Sequence, residues 1–142
     1  MNMKSKEEKI LIVDDSMTQA VQFQLLLEEE GYITALAGNG VEAMEYLDKN
    51  CQHLPDLILS DINMPEMDGF ELCTTVKKRY SDIPVILITA QNNEEVIARS
   101  FKLGAIDYLP KTFSVIELLS RVNNVLNIKK IFVHDKNYNN EL

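Results

Sequence analysis

The chain has no tryptophan, two cysteines, two histidines, four prolines and five glycines among its 142 residues. Cys51 and Cys73 form no Cys-x-x-Cys pattern and cannot build a disulfide framework, so free thiols in a reducing compartment are expected. Cys51 and His53 have no matching second pair, which favours a surface loop over a metal site. Long apolar runs are also missing. The longest, Ile10 to Val13 and Val85 to Ile88, are far too short to cross a bilayer or act as a signal peptide, and the expected compartment is the cytoplasm. Positive charge is scarce, with 14 Lys and Arg against 22 Asp and Glu and a formal charge of −8. Such a surface repels nucleic acid and anionic lipid on average, so neither is expected as a direct partner. Lys77, Lys78 and Arg79 are the one dense basic run, and as the end of a helix they complement its dipole without any nucleic acid.

What remains is an ordinary globular composition, 46% hydrophobic and 25% charged, at a length that suits one average domain. Five short apolar runs recur: Ile10 to Val13, Ile33 to Ala37, Leu57 to Leu59, Val85 to Ile88 and Ala105 to Leu109. The first, third and fourth lack period-2 alternation, as strands covered on both faces do, whereas the second and fifth are mixed and suit sheet edges. Between the runs lie helix-length segments, each opened by a side-chain acceptor with Glu or Gln three residues later. The pairs are Ser16 with Gln19, Asn39 with Glu42, Asp68 with Glu71, Asn92 with Glu95, and Ser114 with Glu117. Gly31 and Gly104 suit the C-terminal ends of the first and fourth helices. Strict alternation of strand and helix implies a (βα)5 unit with a parallel sheet and helices on both faces. Residues 1–9 and 127–142 are polar, charged and Asn-rich apart from Ile131 to Val133, and read as termini or a linker. Ile128, Ile131 and Phe132 raise the prospect that this tail continues the fifth helix.

Ligands of open α/β sheets bind outside the carboxyl ends of the strands. Asp14 and Asp15 follow the first run, Asp61 the third, Thr89 the fourth and Lys111 the fifth. Three carboxylates at one mouth repel one another, each close pair by roughly 4 kcal/mol at an effective dielectric near 20, so a positive group is needed among them. An all-oxygen set favours a hard cation, and Mg²⁺ characteristically takes one or two carboxylates, waters and a phosphate. Lys111 can hold a phosphoryl oxygen and Thr89 can donate to one. Asp61, between the acidic pair and the lysine, is the candidate nucleophile toward phosphorus. Any one of these aspartates alone would read as a helix cap. With the caps assigned to Ser16 and Asp68, however, Asp14, Asp15 and Asp61 have no structural task.

These residues, together with Pro55 to Asp61, Asn63, Met64, Pro65, Met67, Asp68, Gly69, Pro84 to Ala90 and Gly104 to Lys111, make the sequence resemble a response-regulator receiver domain. The resemblance covers residues 8–127 and leaves residues 128–142 as a C-terminal tail or linker. It implies a doubly wound five-stranded parallel sheet in the flavodoxin-like order 2-1-3-4-5. It further implies that Asp61 takes a phosphoryl group from a phosphohistidine on a sensor histidine kinase or histidine phosphotransfer protein. Asp15 would bind Mg²⁺ directly, Asp14 mainly through water, and the Asn63 backbone carbonyl would complete the shell with Asp61. Thr89 and Tyr108 would act as switch residues and Lys111 would pair with the phosphoryl group. The family's face of helix four, strand five and helix five would serve partners or a homodimer. Asn63 and Gln91 fall where the family tunes phosphoryl lifetime. Met64 and Met67, flanking Pro65, are expected to pack their loop rather than touch a ligand. One departure stands out, for receivers usually carry proline after the lysine and this chain has Thr112. A cis bond there without proline costs about 2.5–4 kcal/mol, which bears on the reach of Lys111.

On this reading the domain catalyses its own phosphotransfer, turns over no external metabolite, and is either a stand-alone receiver or a module of a longer regulator. A flavodoxin-like cofactor carrier is disfavoured, because Asp14 and Asp15 would repel a phosphate cradled after strand one. A haloacid-dehalogenase-type phosphatase carries a second Asp two residues after its nucleophile, where this chain has Asn63.

Overall fold

The computed structural model describes residues 7–91 and 93–141, with side chains described to residue 128. The apolar runs become five parallel strands, β1 (Lys9–Val13), β2 (Ile33–Ala37), β3 (Leu57–Asp61), β4 (Val85–Thr89) and β5 (Asp107–Pro110). Their order is β2-β1-β3-β4-β5, the expected one. β3 and β4 are buried at every residue and β1 at all but its first, whereas the edge strand β2 is partly exposed along most of its length. Between and after them run α1 (Met17–Glu29), α2 (Gly40–Lys49), α3 (Gly69–Arg79), α4 (Glu94–Lys102) and α5 (Val115–Glu141).

The helix ends follow from local hydrogen bonding. The side chains of Ser16, Asn39, Asp68 and Ser114 accept from the backbone N–H groups of Gln19, Glu42, Glu71 and Glu117, as the spacing predicts. At α2, Glu42 reaches back to the Gly38 N–H rather than to that of its cap residue. The fourth helix departs from expectation: its cap is Asn93, which accepts from the Val96 N–H, one residue beyond the predicted pair of Asn92 and Glu95. Asn92 lies outside the described residues. Gly31 (φ 97) and Gly104 (φ 105) close α1 and α4 with paired bonds, Gly31 to Glu28 and Tyr32 to Leu27, Gly104 to Phe101 and Ala105 to Ser100. The second closure spends the Ala105 N–H on α4, which is why β5 starts at Asp107 and not at Ala105.

Leu11, Val13, Ile58, Val85 and Leu87 form one buried cluster with Ala43, Met44 and Leu47 of α2 and Phe70, Leu72, Cys73 and Val76 of α3. Alternate strand residues, Ile10, Ile12, Leu57, Leu59, Ile86 and Ile88, point the other way and are equally buried. Cys73 sits in the cluster and Cys51 is exposed, both as free thiols. The chain divides between Thr112 and Phe113. The first unit carries the sheet. In the second, α5 continues to Glu141, and Leu118, Val122, Val125 and Leu126 are buried among its described side chains.

Candidate functional site

β1 and β3 are neighbours in register, with Val13 opposite Ser60, so the residues that follow one strand emerge beside the end of the other. Asp14, Asp15 and Asp61 each offer one carboxylate oxygen within 4.8 Å of the others. Asp14 and Asp61 are buried and Asp15 is exposed. Asp14 Oδ1 accepts from the Ser16 N–H at 2.9 Å, so this aspartate shapes the turn into α1 and is not without a structural task, contrary to the sequence expectation. Its Oδ2 has no hydrogen-bond partner, and neither has Asp61 Oδ1. Buried oxygens left unpaired in this way are costly. Burial pushes the Asp14 carboxyl above the ordinary value of 3.8; the Ser16 hydrogen bond pulls it down, the Asp61 charge raises it, Lys111 lowers it and Asp15 raises it.

The opposite wall comes from β4 and β5. Lys111 Nζ donates to Asp61 Oδ2 at 3.2 Å across 50 residues of sequence. The Lys111 backbone N–H, bonded to the Thr89 carbonyl at 2.8 Å, continues the β4–β5 ladder and aims the side chain. Among the described residues there is no cis peptide bond, so Lys111–Thr112 is trans, and the lysine reaches Asp61 without the usual proline. Thr89 is buried at the end of β4. Its hydroxyl donates to the Gln91 carbonyl and accepts from the Gln91 N–H, both at 2.9 Å. Tyr108 is half-buried on the edge strand, its ring edge-on to Phe101 of α4 at 6.0 Å.

The loop after Asp61 is tied down at several points. Gly69 N–H donates to the Ile62 carbonyl at 2.8 Å, and the Gly40 N–H donates to the Met67 carbonyl at 3.2 Å. A Cβ at Gly69 would lie 2.3 Å from the Asp61 carbonyl oxygen, so glycine is required by the close approach of the chain to itself. Met64 and Met67 pack against the α2–α3 cluster, as expected of a loop pressed onto its core. Asn63 is exposed two residues beyond Asp61.

The five side chains read from the strand ends therefore fall at one rim, and a buried carboxylate bonded to a lysine and flanked by two more carboxylates is an acidic cluster able to hold a metal ion. Residues 10–123 match the family described as the response regulator receiver domain. The chain belongs to that family. Response regulator MprA of Mycobacterium ulcerans (strain Agy99) is 34% identical over 123 residues, which is 87% of this chain and 52% of the relative. This receiver domain thus spans about half the length of the curated relatives it matches. Among solved structures, the signal receiver domain of a signal transduction histidine kinase from Syntrophus aciditrophicus is similar at 42% identity and a TM-score of 0.76, covering 84% of this chain and 90% of that one. A CheY-like response regulator receiver domain protein from Methanospirillum hungatei JF-1 has a TM-score of 0.80 at 27% identity, over 88% and 98% of the two chains. The chain is accordingly a receiver domain of two-component signalling. No described helix is long and apolar enough to cross a membrane.

Sequence reading passed over two residues that shape this rim, Ser60 and Gly40. The signal for Ser60 was a lone hydroxyl in an otherwise apolar run, directly before the candidate nucleophile.

Proposed function

We propose that this receiver domain is a phosphorylation-dependent switch of a cytoplasmic phosphorelay, with Asp61 as the phosphoacceptor. The carrying observation is the state of the Asp61 carboxylate: buried, with Oδ2 held by Lys111 and Oδ1 unpaired, and with one oxygen within 4.8 Å of one from each of Asp14 and Asp15. A carboxylate oxygen of Asp61 attacks phosphorus while the phosphorus–nitrogen bond to a histidine of a sensor kinase or phosphotransfer protein breaks, the electron pair leaving with the imidazole. Lys111 stays as the point charge for a phosphoryl oxygen. The two orphaned oxygens fit a hard cation, with Asp14, Asp15, Asp61 and the Asn63 backbone carbonyl as its holders. Mg²⁺ bound there would supply the positive charge that lets a phosphate approach three carboxylates.

The same geometry supports a signalling output in place of metabolite turnover. Thr89 can donate to a phosphoryl oxygen only by giving up the Gln91 carbonyl, so the phosphoryl group shifts the population toward the arrangement in which that exchange has occurred. Tyr108 is the second switch residue of this reading. Phe101 and Ile106 expose apolar surface near it, which supports a protein partner or a second copy docking on the α4–β5 side. Intact-mass measurement after adding Mg²⁺ and acetyl phosphate tests the core of the proposal. One added phosphoryl group is expected, absent in Asp61→Asn; an equal adduct in that variant would move the acceptor elsewhere.

A further inference from the structure

Ser60 is fully buried, and its neighbours in register, Val13 on β1 and Leu87 on β4, both belong to the apolar cluster under α2 and α3. Residues in register share a face of the sheet, so the Ser60 hydroxyl occupies a place that an aliphatic side chain would fill. It donates to the carbonyl of the next residue, Asp61, at 2.8 Å, and so joins no two elements. The same carbonyl oxygen is the atom that a Cβ at residue 69 would strike at 2.3 Å, and the next carbonyl, of Ile62, accepts from the Gly69 N–H at 2.8 Å. Three contacts thus converge on the Asp61–Ile62 peptide: a hydroxyl on its oxygen, a bare Cα packed against it, and an amide bonded just beyond.

We infer that Ser60 is a positioning residue for the phosphoacceptor, its hydroxyl setting the rotation of the Asp61–Ile62 peptide. That peptide lies between the Asp61 carboxylate and the loop that carries Asn63, so its rotation moves both. The inference rests on the reading of Asp61 as phosphoacceptor. A purely structural serine would lose stability and rate in proportion; here the rate is expected to change more than stability does, because the bond is local and alanine withdraws a single donor from the Asp61 carbonyl. Misplacement by 1 Å can cost about a hundredfold in rate, so the smaller rotation freed here is expected to cost about three- to tenfold.

The experiment follows phosphorylation of the full chain by acetyl phosphate, by intact mass against time, together with calorimetric Mg²⁺ titration and thermal melting. Ser60→Ala is expected to slow phosphorylation by that factor and weaken Mg²⁺ binding about two- to threefold, with its melting temperature lowered by no more than about 5 °C. Ser60→Thr, which keeps the hydroxyl, is expected to recover the rate. Ser60→Ala matching wild type in both rate and Mg²⁺ affinity would overturn the role of Ser60, and so would a slowed rate accompanied by a proportionate loss of stability. Ser60→Cys, nearly isosteric with a weaker donor, is expected to fall between wild type and alanine, and it keeps the test decisive if the threonine methyl disturbs the cluster. A wild-type chain that takes no phosphoryl group would overturn the phosphoacceptor reading itself.

Discussion

Replacing Asp14 by Asn probes the electrostatics of the rim most directly. Asn keeps the oxygen that accepts from the Ser16 N–H and replaces the orphaned, charged Oδ2 by a neutral amide. Two unit charges 4.8 Å apart repel by about 3.5 kcal/mol at an effective dielectric of 20. Part of that is already relieved, because Lys111 sits 3.2 Å from Asp61 and burial raises the Asp14 carboxyl. Asp15, being exposed, is screened by solvent. A net gain of about 1–2 kcal/mol in the metal-free protein is therefore expected, a rise of roughly 3–6 °C in melting temperature for a chain of this size. Mg²⁺ should act in the opposite sense on the pair of proteins. At a free concentration ten times the dissociation constant it stabilises wild type by about 1.4 kcal/mol, and the variant, one charge short, should respond much less. Thermal melts in EDTA and in MgCl₂ measure both effects. The reasoning fails if Asp14→Asn melts below wild type in EDTA and still shows the full Mg²⁺ response.

Three other outcomes follow from the same geometry. In EDTA the raised Asp14 carboxyl keeps its proton in the native state after the unfolded chain has lost it, so its contribution to stability is present below pH 3.8 and lost as pH rises through the native value. Urea unfolding across pH 4–7 should show this fall and its removal in Asp14→Asn, and a steeper dependence in the variant would contradict the assignment. Gly69→Ala drives a Cβ into the Asp61 carbonyl and within 2.7 Å of Ile62 Cα, both backbone, and should cost about 1–3 kcal/mol by urea denaturation. A cost below about 0.5 kcal/mol would mean that the loop relaxes freely. Glu66 holds a left-handed backbone at φ 67, so Glu66→Gly should gain about 0.5 kcal/mol after its entropic cost, read as a shift in urea midpoint; a loss would show that the Glu66 side chain does more than bear strain.

The parts of this domain that amino-acid order determined by itself are those whose partners lie within a few residues along the chain. Four of the five caps, the two left-handed glycines closing α1 and α4, and the burial of β1, β3 and β4 on both faces all rest on local hydrogen bonding or uninterrupted apolar runs. The carboxyl-end rule then named Asp14, Asp15, Asp61, Thr89 and Lys111 without any coordinates. Local competition already blurred finer points, since Asn93 and not Asn92 caps α4, and Gly104 diverts Ala105 from β5. Only the tertiary structure decided how the rim is wired. The reach of Lys111 to Asp61, the two unpaired carboxylate oxygens, the bare Cα of Gly69 against the Asp61 carbonyl and the setting of Ser60 between Val13 and Leu87 join residues from eight to 50 positions apart. Sequence pattern carries periodicity along one element, whereas these relations exist only once separate strands lie side by side at a spacing of about 4.8 Å.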